Sequence, residues 1–303
     1  MNRTNMVRGA FGHMLRQVCC VPECQNPRRC HLASECPYKQ IFEPSPPPNS
    51  ASLSKNQDIP RPFVFRAQDN GPTCLAPGEE FDFDLVLIGR TIDFLSYFVL
   101  CFQQLGAQGF GLNRARCELK RVEELCDASA SGALGNLDSI FDTEGQVLHL
   151  PRGIDLEHWI MQRMAPLLKI TKISIRFLSP TLLKAENRVM RQPDFHHVFK
   201  RLRDRINALS TFFGTGSLDV DFAGLGRRAE RIRTARSHLQ WAKQYRISSK
   251  TQQQHQLSGF VGDIFYEGDI DEFLPWLLLG ELIHVGKHTA WGMGRFEIQP
   301  FPE

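Results

Sequence analysis

Cys20, Cys24, Cys30 and Cys36 place four thiols within seventeen residues, with Cys19 beside the first. In a cytoplasmic chain such a cluster points to metal before disulfides, because that compartment keeps thiols reduced. Four thiolates close a tetrahedral structural zinc site, which staples a loop that has little core of its own. An iron–sulfur cluster draws on the same ligands, and unligated thiols are the plain alternative. The spacing is looser than that of paired CxxC knuckles. Cys74, Cys101, Cys117 and Cys126 are scattered among apolar neighbours and read as core thiols.

Three histidines are candidates for proton transfer, because imidazole titrates near neutral pH. His13 lies close behind Gly9 and beside Gly12, small residues that admit a close-lying chain; as a lone His among apolar residues it also reads as structural. His284 and His288 stand on either side of Gly286, and His288 adjoins Lys287. No paired carboxylates, nucleophile elbow or HExxH motif accompany them.

The last two histidines sit in a stretch with glycines at 286, 292 and 294, bracketed by Lys287 and Arg295 and containing Trp291. Glycines free the backbone for positive φ, and a loop of this kind exposes successive N–H groups that suit a phosphate. A glycine-rich turn between two elements is the competing reading. A nucleotide-binding P-loop is rejected: counting back from Gly286 and Lys287, Glu281 occupies the first glycine position and His288 the Ser/Thr position.

Charge is unevenly spread. Residues 160–250 carry nineteen Lys/Arg against six Asp/Glu, in a chain whose net charge is only +3. That asymmetry favours a polyanionic partner, although any single charge run is more often a solvated face. Within it, Arg227, Arg228, Arg231, Arg233 and Arg236 run ahead of Trp241, Lys243, Tyr245, Arg246 and Lys250. Cations fix phosphates, and Trp241 or Tyr245 offers a face to an unpaired base. A core role for these two aromatics competes, with Ile232 and Leu239 anchoring a helix whose arginines are solvated.

These groups need elements to hold them. A chain of 303 residues, 42% hydrophobic and 23% charged, is that of a globular protein of one large or two ordinary domains. No apolar run approaches the ~20 residues that span a bilayer, and no signal-peptide core opens the chain, so a cytoplasmic protein without a membrane partner is expected. Residues 6–18 predict a helix with Phe11, Met14, Leu15 and Val18 on one face. Strands are predicted over 62–66, 80–88, 114–122, 170–178, 259–266 and 294–298. Helices are predicted over 92–105, over 273–282 and from Pro193, the last with Phe195, Val198, Phe199, Leu202, Ile206 and Leu209 on one side. Residues 44–60 read as a Pro-rich loop, and weak periodicity over 132–153 places a boundary there. The fold class is α+β, with domains at 1–140 and 155–303.

The C-terminal motifs, Gly259-Phe260-Val261-Gly262, Tyr266-Glu267-Gly268-Asp269, Phe273-Leu274-Pro275, Val285-Gly286-Lys287 and Gly292-Met293-Gly294-Arg295, resemble those of CRISPR-associated precursor-RNA-processing endoribonucleases of the repeat-associated mysterious protein (RAMP) superfamily. Weaker matches at residues 7–16, 36–38, 62–64, 88–93 and 176–181 extend the resemblance over most of the chain. It implies two tandem ferredoxin-like (RRM-like) domains, the C-terminal one carrying the glycine-rich loop. It also implies a strand ahead of the first helix, where this chain has about five residues.

The implied activity is cleavage of CRISPR precursor RNA within each repeat, without a catalytic cofactor. The 2′-OH attacks, giving a 2′,3′-cyclic phosphate and a 5′-OH. His13 lies where several relatives place a catalytic histidine, with His288 the rival. Arg8, Arg227, Arg228, Arg231, Arg246, Lys250, Gly286, Lys287, Gly292, Gly294 and Arg295 are the implied RNA contacts. Other effector subunits are further possible partners, and a non-catalytic RNA-binding subunit is the competing function.

Overall fold

The computed structural model describes residues 3–21, 30, 32, 35–44, 59–67, 74–111, 113–125, 137–142, 147–185, 188–247 and 254–300. The chain mixes helix and sheet and divides into two compact units, Met1–Trp159 with Phe212–Gly214, and Ile160–Thr211 with Thr215–Glu303.

The first unit is organised around Phe11. Helix α1 (Arg3–Cys19) repeats apolar residues at Val7, Phe11, Met14 and Leu15, and all four are buried. Phe11 stacks on Phe98 at 4.4 Å, and Phe63 and Phe65 meet it edge-on at 5.9 and 5.5 Å. Those partners come from α3 (Leu95–Gln108) and from strand β1 (Phe63–Arg66), which pairs antiparallel with β2 (Asp84–Leu87). A short helix α2 (Pro37–Ile41) closes the cluster with Tyr38 and Ile41. Three further strands follow: β3 (Arg121–Leu125), β4 (Leu137–Asp142) and β5 (Val147–Leu148), in the order β3-β4-β5.

Two expectations change here. The strand predicted over 114–122 begins only at Arg121, because the chain first turns back at residues 110–115. The stretch of weak periodicity over 132–153, where a boundary is expected, holds β4 and β5, and the division between units falls inside α4 (Leu156–Met164).

The second unit is built on one four-stranded sheet. Its strands are β6 (Lys172–Thr181), β9 (Arg233–Ala242), β12 (Gly259–Glu267) and β13 (Phe296–Pro300), all antiparallel, in the order β13-β6-β12-β9. Helix α5 (Phe195–Phe213) follows β6, and α7 (Leu274–Ile283) follows β12. The core sequence is therefore β-α-β-β-α-β, the split-βαβ connectivity of ferredoxin-like units. Ile173, Ile175 and Phe177 alternate along β6 to one buried face, and the apolar side of α5 predicted from Phe195 to Leu209 is buried throughout. Helix α6 (Phe222–Ala229) and two small hairpins, β7 (Leu183–Ala185) with β8 (Arg188–Met190) and β10 (Tyr245–Ile247) with β11 (Gln254–Gln256), decorate this frame. Pro193 stands ahead of α5, which begins at Phe195; its carbonyl accepts from the Tyr266 hydroxyl at 3.0 Å. Among the described residues no helix is long and apolar enough to cross a membrane.

Candidate functional site

The glycine-rich stretch is the connection from α7 to β13. After Ile283 the backbone turns through His284 at φ 64°, and the Val285 N–H donates to the Gly294 carbonyl at 2.9 Å, which closes the loop. Inside it, the Trp291 and Met293 N–H groups donate to the His288 carbonyl, and the Gly292 N–H to that of Thr289. The end of β6 completes the pairing. Lys287 donates to the Leu182 carbonyl at 3.0 Å and Gly294 to that of Pro180 at 3.2 Å, while the Arg295 N–H donates to the Ser179 hydroxyl at 2.9 Å.

These bonds restrict the row of amides that the loop could offer a phosphate to those of residues 286 and 288–290. The N–H groups of residues 285, 287 and 291–295 are consumed inside the protein. Gly286 and Gly294 also serve close packing. A Cβ at Gly294 would lie 1.8 Å from the Val285 carbonyl oxygen, and one at Gly286 would lie 2.7 Å from that of Leu182. Both have positive φ, 76° and 90°.

The loop also presents side chains outward. Lys287 is exposed, and Arg295 is half-buried with its guanidinium 3.4 Å from Glu297. His288 is half-buried and lies parallel to Trp291 at 4.8 Å, so one face of that indole is already covered. His284 is fully buried, and its Nδ1 pairs with the Met293 carbonyl at 3.2 Å. His284 is thus a structural residue of the loop, set apart from the solvent that a base working on RNA must meet.

The basic run is split between two elements, not carried on one helix. Arg227 and Arg228 close α6, where their charge favours the helix C-terminus. Arg228 is committed to Glu272 through two contacts of 2.8 Å. Arg231 lies exposed in the turn, and Arg233 and Arg236 are exposed on β9. Tyr245 on β10 is 53% exposed and Trp241 is half-buried, with the Arg191 guanidinium over its ring at 4.8 Å. Neither aromatic is a core residue. Arg246 sits on β10, and Lys250 lies outside the described residues.

In the first unit, His13 is exposed on the side of α1 away from Phe11, and the Gln17 side-chain amide donates to its Nε2 at 3.3 Å. A buried structural role for this histidine is therefore excluded. Arg8 is the reverse case. It is 7% exposed and its guanidinium lies 4.3 Å over the Phe42 ring, so this implied RNA contact is a core cation.

Cys20, Cys30 and Cys36 line one cavity of about 190 Å³, together with Glu35. Cys24 lies outside the described residues. Cys19, which the spacing makes a spare, lines the same cavity; burial first, then the neighbouring Cys36 and Cys20, push its thiol up to about 12. Among the described residues no three cysteine sulfurs lie within 4.8 Å of one another.

A second grouping passes unnoticed in sequence reading: Asp194, His196 and His197 at the head of α5, with one ligand atom of each within 4.8 Å of the others. Its signal is the Asp-x-His-His spacing itself.

Residues 175–296, from β6 through the glycine-rich loop to the first residue of β13, match the model of the CRISPR-associated endoribonuclease Cas6. This C-terminal segment is thus a Cas6 endoribonuclease domain by its family model. Residues 2–151 match a separate model described as an N-terminal domain. Among solved structures, the product complex of the Cas6 TTHB231 is similar to this chain at 17% identity and a TM-score of 0.55, over 99% of this chain and 94% of that one. A Thermus thermophilus TTHB231 structure matches at 16% and 0.49, over 99% and 92%. A Cas6-related protein from Pyrococcus furiosus matches at 10% and 0.40, over 100% and 92%. No curated protein sequence matches the chain.

Proposed function

We propose that this chain cuts CRISPR precursor RNA within its repeats by metal-independent transesterification. The observation that supports this most is the match of residues 175–296 to the Cas6 endoribonuclease model, a segment that includes the whole glycine-rich loop. In the proposed step a base removes the 2′-OH proton, O2′ bonds to phosphorus, and the P–O5′ bond breaks as the 5′ oxygen takes a proton. The products are a 2′,3′-cyclic phosphate and a 5′-OH, and neither water nor a redox partner is consumed. His13 is assigned the base, because it is exposed and its ring is steadied by Gln17. His288 is the second candidate. The unit built on α1, β1, β2, α3 and β3 is read as a second ferredoxin-like domain from its first helix onward. Further CRISPR-associated subunits are partners in the same reading.

Incubation with repeat RNA in EDTA, followed by analysis of the product ends, tests the reaction. Cleavage to 2′,3′-cyclic phosphate ends is the expected result. RNA bound tightly but left intact would assign the chain to the non-catalytic RNA-binding subunits, and cleavage restored only by added metal would overturn the mechanism.

RNA contact is assigned to side chains: Lys287, Arg295, Arg227, Arg231 and Arg246, with Lys250, and Arg228 if it leaves Glu272. Lys287→Ala is expected to lower the slope of log affinity against log salt by roughly 0.7–0.9, the loss of one phosphate contact. Arg295→Ala should give a smaller change, since Glu297 already pairs with it. Binding isotherms at several salt concentrations decide this; unchanged slopes would remove the loop from the RNA path.

A structural zinc is proposed for the cysteine-lined cavity, held by Cys20, Cys30 and Cys36 with Cys24 as fourth ligand. The shared cavity and the softness of thiolates support it. Elemental analysis together with X-ray absorption spectroscopy of protein never exposed to chelator should find about one sulfur-bound zinc per chain. Removing that zinc should loosen residues 19–40 and leave the second unit folded. Protein with neither zinc nor iron would end the idea.

A further inference from the structure

We propose that Asp194, His196 and His197 form a second metal site at the head of α5, one that takes a borderline divalent cation such as zinc, cobalt or nickel through two imidazoles and a carboxylate. Imidazole with carboxylate oxygen is a donor set for these ions, and it is chemically distinct from the thiols of the first unit. The three donor atoms lie within 4.8 Å of one another. The two rings are 3.9 Å apart between centroids, and His197 Nδ1 is 3.9 Å from Asp194 Oδ2. A tetrahedral ion with bonds of about 2.0–2.1 Å holds its ligand atoms roughly 3.3 Å apart, so small rotations about side-chain bonds close the set.

Two features set this group apart from an ordinary surface cluster. His197 Nδ1 is buried and has no hydrogen-bond partner among the described residues. A buried polar atom left unpaired is costly, and a cation supplies the missing partner. The carboxylate is also already oriented. Asp194 Oδ1 accepts from the Thr234 hydroxyl on β9 at 3.2 Å, which leaves Oδ2 on the His197 side, as an outer-shell partner does in metal sites.

The backbone beneath is fixed as well. The Asp194 carbonyl accepts from the His197 N–H at 3.0 Å and the Val198 N–H at 3.4 Å, and the buried Tyr266 hydroxyl holds Pro193. The nearby cation Lys200 is drawn to Glu230 at 2.7 Å, which reduces its repulsion of a bound ion. Three protein ligands leave a fourth position open to water or to an anionic oxygen. A metal here would fix the start of α5, whose Asp194 is bonded to Thr234 on β9, the edge strand that carries Arg233 and Arg236.

The inference is independent of the RNA reading, and its readout is metal content. The full chain, stripped with chelator, is titrated with cobalt chloride alone and its visible spectrum followed. Wild type should show nitrogen/oxygen-type d–d bands in addition to any thiolate charge-transfer band from the cysteines. Asp194→Asn keeps a side-chain acceptor for Thr234 and should weaken the nitrogen/oxygen component at least about tenfold, the smaller loss seen when only an outer-shell partner is removed. A His196→Asn/His197→Asn double variant should abolish that component and hold one zinc fewer per chain. Circular dichroism of both variants confirms the fold. The same cobalt affinity and zinc content in wild type and Asp194→Asn, or a wild-type spectrum with thiolate features only, would overturn the proposal.

Discussion

His13→Ala is expected to slow repeat cleavage by ~10²–10⁴-fold while RNA affinity stays nearly constant. A general base acts on the proton in flight, so its loss raises the barrier to the chemical step without touching ground-state binding. The structure makes the test clean. His13 is exposed on α1, and its one described hydrogen bond is the surface contact with Gln17. The helix is held from its other side by Val7, Phe11, Met14 and Leu15. Removing an exposed imidazole from such a helix should leave thermal unfolding unchanged, which separates a catalytic defect from a folding one. Single-turnover cleavage under saturating protein is the measurement. A fall of less than roughly tenfold would be too small for a base and would transfer the role to His288.

Glu281→Ala is expected to destabilise the second unit by about 3 kcal/mol. Glu281 stands where a P-loop would need its first glycine, and the structure gives that glutamate its own task. It is 9% exposed on α7. One carboxylate oxygen accepts from the Arg163 guanidinium of α4 at 2.6 Å, and the other accepts from the Ile298 N–H of β13 at 2.6 Å. One side chain thus fastens α4 and β13 to the helix that precedes the glycine-rich loop. Breaking a buried ion pair typically costs ~3–5 kcal/mol. The lower end applies because the Arg163 side chain is 29% exposed and water reaches it once the partner is gone. Glu281→Gln keeps an acceptor for Ile298 and loses only the charge, so it should cost less than the alanine change. Denaturant unfolding, with amide exchange at Ile298 as the local probe, measures both. A loss below roughly 1 kcal/mol for the alanine variant would reduce the pair to an ordinary surface contact.

The sequence by itself determined the parts of this protein that depend on local periodicity. The apolar stripe of α5, the alternation of β6 and the buried face of α1 each follow from side-chain spacing, since a 3.6- or 2-residue period decides which residues share a face. The motifs also located the glycine-rich loop, which lies in the segment that matches the Cas6 model.

Tertiary structure decided what those residues touch. Which loop amides are consumed could not all be read locally, because three of the acceptors, Ser179 and Pro180 on β6 and Leu182 just beyond it, lie more than a hundred residues away. Arg8 reads as a free cation until Phe42 arrives from another segment to cover it. Cys19 reads as a spare until the chain folds back and lines one cavity with Cys19, Cys20, Cys30 and Cys36. Asp194, His196 and His197 were adjacent in sequence all along, but only the fold buries the ring nitrogen of His197 and orients the carboxylate through Thr234 on β9. Burial and pairing are properties of partners brought together by the fold, and spacing along one segment carries no record of them.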